Sequence, residues 1–280
     1  MVVSPCGEVT ALVASTGTKA LILDSDGQVI REVDRSYYCA HAYRYPLALF
    51  TLLDGRTGLA HCPDSYDRLE VEVALTGERL TTDVDREPQD FFHSRLAVSP
   101  DGRYLLSAGW VWHPYGCVAV YDLHRTLAGS TALNPAGTPV DPGPLVQAEV
   151  SGACFLDQDV VLSTSAEPND PEGPEELVPD TLARWSTTTG TFLWRRQLDT
   201  TAGDLIPIAG DVLALHGHPR LFDGETGSLI AEWPEIDTGH SDGPLVGGDP
   251  FSGPARVAVD QTGPRFAVTD GDQVKVVHLG

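Results

Sequence analysis

The sequence predicts an all-β fold built from one repeated unit, and three observations predict it. A short apolar strand, a tight polar turn and a second apolar strand recur along the 280 residues; the clearest copy is LAVSPDGRYLLSAG, Leu96 to Gly109, with weaker copies at MVVSPCGEVTALVAS from Met1 and RVAVDQTGPRFAVTDG from Arg256. The turns are evenly spaced. With Gly7, Gly55, Gly102, the Asp157-Gln158 turn, Gly210 and Gly263 as markers, positions 7 to 263 are covered in five steps of about 51 residues, a period of the kind seen in propeller blades. Finally, Val, Thr and Leu are abundant and alternate with other residues, as Val118 and Val120 do around Tyr121 and Asp122. No long amphipathic helical pattern competes with this alternation.

Each unit continues past its first turn. A third strand closed by a second turn is seen as ALILDSDGQVI from Ala20, LEVEVALTGERL from Leu69, ARWSTTTGTFLW from Ala183 and RLFDGETGSLI from Arg220. Asp-Gly and Thr-Gly there supply the backbone dihedrals that tight hairpins demand. Units that each expose an apolar face bury it by stacking, and antiparallel units of four strands stacked radially make a β-propeller. The prediction is a single β-propeller domain over residues 1–280, with six blades of mostly four antiparallel strands; seven blades are the alternative. The last unit offers RVAVDQTG, PRFAVTDG and QVKVVHLG, one strand fewer than the others. Either that blade lacks its outer strand or Met1 to Ser4 supplies it; because MVVSPCG matches the first-strand pattern, a short last blade is favoured.

The stretch SPDGRYLLSAG followed by VAVYDL, within residues 94–125, resembles the repeats of WD-repeat and quinoprotein-like propellers. The resemblance implies the same fold. No unit carries the Gly-His start or Trp-Asp end of true WD repeats, so their Asp-His hydrogen-bond network is not expected here.

Eighteen Lys and Arg against 40 Asp and Glu give a formal charge of -22, which repels nucleic acid and anionic membrane surfaces. Neither is expected as a partner. The first residues lack the basic start and continuous apolar run of a signal peptide, and no stretch is long and apolar enough to cross a bilayer, so the expected location is cytoplasmic. Cys6, Cys39, Cys62, Cys117 and Cys154 are scattered singly; an odd count without a C-x-x-C pair argues against a disulfide framework or a zinc cluster.

In a blade, the loops between strands two and three and the blade-to-blade connections share one end. Histidines 41, 61, 93, 113, 216, 218 and 240 fall in or beside these segments, as do Tyr37, Tyr38, Tyr43, Tyr45, Tyr66, Phe91, Phe92, Trp110, Trp112, Tyr115 and Trp233. The long connections Gly129 to Pro144 and Pro234 to Pro254 belong to the same set. Long loops on a rigid scaffold are where binding concentrates. The sharpest segment is GWVWHPYG, Gly109 to Gly116, whose Trp112, His113 and Tyr115 offer flat apolar contact with a polar handle each. The competing reading has Trp110 and Trp112 wedged between blades and His113-Pro114 simply making the turn. The candidate binding set is Tyr37, Trp112, His113, Tyr115, His41, His61, His93, His216 and His240.

These residues support an interaction module that binds a protein or peptide. The alternative is an enzyme or small-molecule binder with a central pocket, its metal-dependent version drawing on His41, His61, His93, His216 and His240. His216-Gly217-His218 places two imidazoles one residue apart, but no third ligand is fixed by spacing and Pro219 suggests a turn. No Gly-x-Ser-x-Gly elbow and no phosphate-cradling glycine loop is present, so no catalytic residue, metal or cofactor is assigned. The Pro- and acid-rich segment from Ser165 to Asp180 reads as a mobile insertion, or otherwise as a dock for a basic partner.

Overall fold

The computed structural model describes residues 1–82, 86–112, 115–135, 148–167, 176–241, 243, 245, 257–260, 263–270 and 272–279. His113, the larger parts of the Gly129 to Pro144 and Pro234 to Pro254 connections, and residues 168–175 of the acidic segment lie outside the described residues. The chain divides into two compact units, residues 1–145 with 244–246 and residues 146–243 with 247–280.

The first unit holds three antiparallel sheets. Sheet one is β1 (Val2–Val3), β2 (Thr10–Val13), β3 (Lys19–Leu23) and β4 (Val29–Asp34); sheet two is β5 (Leu47–Thr51), β6 (Thr57–His61) and β7 (Glu70–Val73). Sheet three is β8 (Leu96–Val98), β9 (Tyr104–Val111) and β10 (Tyr115–Asp122), followed by the short helix α1 (Leu123–Ala128). In the second unit, sheet four is β11 (Val150–Leu156), β12 (Asp159–Thr164), β13 (Thr181–Trp185) and β14 (Phe192–Gln197). Sheet five is β15 (Leu205–Ile208), β16 (Asp211–Ala214), β17 (Arg220–Phe222) and β18 (Leu229–Glu232), and sheet six is β19 (Val257–Val259), β20 (Arg265–Asp270) and β21 (Gln273–His278). Every sheet runs in sequence order, and every marker turn joins the first two strands of its sheet.

The Ser-Pro-x-Gly turn shows why the repeat is written as it is. Gly102 N–H donates to the Ser99 carbonyl at 2.8 Å, while the Ser99 hydroxyl accepts the Tyr104 N–H at 2.9 Å and donates to Asp101 at 2.6 Å. Ser4 repeats the device, its hydroxyl accepting the Val9 N–H at 3.0 Å. A hydroxyl thus satisfies the backbone donor at the mouth of the hairpin. Gly102 itself sits at φ 74, a left-handed conformation that suits glycine; at the equivalent turn of sheet four Asp157 takes φ 54, a role aspartate tolerates.

Among the described residues three sheets have four strands and three have three. In sheet two the fourth strand shrinks to a fragment: Glu72 bridges Arg79, Leu80 N–H reaches the Val71 carbonyl at 2.8 Å, and the Thr81 hydroxyl accepts the Val71 N–H at 2.9 Å. In sheet three β10 runs directly into α1, capped by Asp122, whose carboxylate accepts the His124 and Arg125 N–H groups at 3.0 and 3.1 Å. Val2 and Val3 pair with β2, so this segment is the inner strand of sheet one.

Apolar faces of neighbouring sheets bury one another within each unit. Val9, Ala11, Ile22, Leu47, Leu49 and Leu59 fill the space between sheets one and two, and Phe50, Val71, Leu105, Ala119, Tyr121 and Leu133 that between sheets two and three. In the second unit Val161, Leu182, Val212 and Phe222 pack sheet four on sheet five, and Leu213, Leu221, Ile236, Phe266 and Val268 pack sheet five on sheet six.

Charged groups also cross between sheets one and two. Glu70 and Glu72 of β7 are buried. Glu72 pairs with Arg31 of β4, and its Oε1 lies 3.1 Å from His61 Nε2; Glu70 receives Arg68 at 2.7 Å and Arg86 at 3.1 Å. Burial would raise the Glu72 carboxyl pKa, but His61 and Arg31 outweigh it and hold the group below its usual value.

Candidate functional site

Aromatic side chains converge at one place in the first unit. Phe92 and Trp110 exchange two backbone hydrogen bonds, Phe92 N–H to the Trp110 carbonyl at 2.8 Å and Trp110 N–H to the Phe92 carbonyl at 3.1 Å. That pairing extends β9 beyond β8 and aligns the two rings, which stack at 3.8 Å between centroids and 13° between planes. Tyr66, on the connection after β6, stacks on Phe92 at 4.0 Å and 17°, so Phe92 is sandwiched. Tyr43 meets Phe92 and Trp110 edge-on at 5.7 and 6.0 Å. Phe92, Trp110 and Tyr43 form a dry floor, each under 3 % exposed.

Above the floor stand two half-exposed rings. Trp112, at the tip of the β9–β10 hairpin, is 48 % exposed and meets Trp110 edge-on at 5.4 Å and Phe92 at 5.6 Å. Tyr38, from the connection after β4, is also 48 % exposed and reaches Tyr66 at 5.2 Å and Trp112 at 6.3 Å. Its neighbour Tyr37 is 83 % exposed. Half-exposed aromatics on a buried aromatic base are rigid contact surfaces, since the base fixes their rotamers before any partner arrives.

Arg35 holds the Tyr37–Tyr38 loop in place. Its side chain is buried at the end of β4 and donates to the carbonyls of Gly17 at 2.8 Å, Tyr43 at 3.0 Å and Ala40, while its guanidinium lies 4.5 Å over the Tyr43 ring. The Ala40–Ala42 turn carrying His41 is pinned by the same contacts. Burial lowers the Arg35 pKa and pushes the Tyr43 hydroxyl up to about 12. The Tyr66 hydroxyl donates to Asp90 at 2.8 Å; burial, then this carboxylate, raises its pKa.

Gly109 matters to the floor because a Cβ there would lie 2.1 Å from the Phe92 carbonyl oxygen and 2.6 Å from the Phe91 ring. Gly109→Ala is expected to cost about 2 kcal/mol or more by overpacking, and to be visible as a lower denaturant midpoint with an altered near-ultraviolet aromatic signal.

The sequence-predicted residues divide by environment. Trp112 stands at the aromatic patch with Tyr38 and Tyr66, Tyr37 is exposed beside Tyr38 in the chain, and His41 is exposed on the same loop. Tyr115 is half-buried at the start of β10, opposite Val111. His61 and His93 are not on an open loop face: both are buried, His61 beside Glu72 and His93 with Nδ1 3.1 Å from the Ser107 hydroxyl. A strand-end histidine turns inward when a buried acid or hydroxyl waits for it. In the second unit His216 and His240 meet edge-on at 5.1 Å, brought together by the Gly217–Gly239 bridge, and His218 lies 3.2 Å from Glu232. Among the described residues no group of three or more His, Cys, Asp or Glu is arranged to hold a metal ion. Trp233 packs on Phe266 between sheets five and six, and Tyr45 lies under Arg35.

The second unit also carries an open groove of about 650 Å³ between β14 and β18, lined by Arg196, Asp199, His218, Arg220, Phe222 and Glu232 among others. Its charges are largely occupied at home: Arg220 donates to the Thr200 and Thr201 carbonyls, and His218 faces Glu232.

Residues the sequence did not single out complete the site. Arg35 clamps the loop through backbone carbonyls, which carry no side-chain signature, and Asp90 holds Tyr66 from another connection.

No protein-family model and no curated protein matches the chain. Solved structures do. BamB from Moraxella catarrhalis matches 98 % of this chain and 80 % of its own at 14 % identity and a TM-score of 0.51. Hydrazine synthase from Kuenenia stuttgartiensis matches 99 % and 82 % at 13 % identity and 0.62. The Cps50 (Swd1) β-propeller domain from Myceliophteria thermophila matches 98 % and 81 % at 10 % identity and 0.54. At such identities the likeness shows the fold alone, and that fold is the β-propeller, with the sheets as its blades.

Proposed function

We propose that this propeller is an interaction module that docks a protein or peptide on the aromatic patch of Tyr37, Tyr38, Tyr66 and Trp112. The observation that carries the reading is the combination of a dry aromatic floor with half-exposed Tyr38 and Trp112 fixed upon it. Surface tyrosine and tryptophan packed at that density are the residue types that dominate protein contacts. The similar structures include both an enzyme, hydrazine synthase, and a β-propeller domain, Swd1, so the fold by itself favours neither class. The cytoplasm, where thiols stay reduced, suits a chain whose five cysteines form no disulfide. No helix among the described residues is long and apolar enough to cross a membrane. The SPDGRYLLSAG repeat supports a divergent relation to WD-repeat and quinoprotein-like propellers.

The test is a pair of substitutions on the exposed rings. Tyr38→Ala with Trp112→Ala is expected to abolish co-purification of a partner from source cells while moving the melting temperature by only a few degrees. Undiminished co-purification from a folded double variant would overturn the reading.

A further inference from the structure

We propose that the aromatic patch recognises an arginine side chain of its partner, with Trp112 and Tyr38 supplying ring faces and Asp90 the countercharge. The inference rests on the docking reading above and adds the chemistry of the occupant. Three observations carry it. Tyr38 and Trp112 meet edge-on at 6.3 Å and 79° and each is 48 % exposed, so both rings keep surface open to an incoming side chain. A cation placed over such faces is attracted by the ring quadrupoles. Guanidinium is the better fit of the two cationic side chains, since it is planar, stacks on rings and sheds its hydration more readily than ammonium.

Next, the carboxylate that holds Tyr66 is not spent on an ion pair among the described residues. Asp90 is exposed and accepts the Tyr66 hydroxyl, and among the described residues it has no salt-bridge partner. Arg35 lies buried against Tyr43 and gives its donors to backbone carbonyls, so it is not offered to Tyr38 or Trp112. Finally, the formal charge of -22 steers cationic partners toward the chain and repels acidic ones.

The probe is N-acetyl-arginine methylamide titrated into the full chain, with its neutral isostere N-acetyl-citrulline methylamide as comparison, read by the Trp112 indole N–H and Tyr38 ring signals in NMR. Trp112→Phe assigns the indole signal. The arginine compound is expected to shift both signals saturably and to bind about tenfold more tightly than the citrulline compound. Asp90→Asn, with an unchanged melting temperature, is expected to weaken the arginine compound several-fold and leave the citrulline compound alone. Equal binding of the two compounds, or no shift at either ring, overturns the arginine proposal. The docking reading then stands or falls separately, on whether the Tyr38→Ala, Trp112→Ala variant still co-purifies a partner.

Discussion

Glu72→Ala is expected to destabilise the protein by about 3–5 kcal/mol, the range for breaking one side of a buried ion pair, and to lower the melting temperature by about 10 °C. Glu72 is 4 % exposed and lies between the Arg31 guanidinium on sheet one and the His61 imidazole on sheet two. Removing it leaves a guanidinium and an imidazole in a space with little water to solvate them. The exposed pair Lys19–Glu32 makes the contrast: both side chains are about half exposed, and Lys19→Ala is expected to change the unfolding midpoint hardly at all. Chemical denaturation of both variants checks the claim, and comparable small effects would show that the Glu72 cluster is not a staple between the sheets.

His93 sets how stability responds to acid. The ring is 1 % exposed, and burial lowers its pKa from 6.5 to about 3. In the unfolded chain the imidazole takes up a proton as pH falls through 6.5; in the fold it stays neutral until about pH 3. Between those values the unfolded state binds the extra proton, so stability falls as pH falls, by up to about 1.4 kcal/mol per pH unit from this group. Glu72 acts in the same direction at lower pH, since a carboxyl held below its usual value gives stability that is lost as pH drops through the folded pKa. His93→Gln keeps a donor and an acceptor for Ser107 and removes the titration. Its unfolding free energy is expected to vary less between pH 6 and pH 4 than that of the parent, and equal slopes would mean that His93 is protonated without cost.

The turns were the legible part of the sequence. Gly7, Gly102 and Gly210 mark hairpins because positive φ is a local requirement that a side chain penalises, and even the glycine-free turn at Asp157 shows itself by its place in the spacing. The missing fourth strands of sheets two and three were not legible. Beside β7 the Thr81 hydroxyl takes the Val71 N–H, and after β10 the chain turns into α1; neither outcome follows from the strand alternation.

The site divides in the same way. Trp112 and Tyr37 could be read from aromatic density in loops that share one end of a blade, and Tyr38, Tyr66, Phe92 and Trp110 belonged to that same density. The burial of His61 and His93 could not, because it depends on Glu72 and Ser107 across the sheet. The Arg35 clamp lies equally beyond reach, as its acceptors at Gly17, Ala40 and Tyr43 become neighbours only once the chain has folded.

The central claim is that the partner sits on the aromatic patch, and hydroxyl-radical footprinting of the chain with and without its co-purified partner tests it most directly. Oxidation of Tyr37, Tyr38 and Trp112 is expected to fall several-fold in the complex, with exposed Leu229 and Val274 unchanged. Full oxidation of the three aromatic residues in the complex, with protection elsewhere, would contradict it.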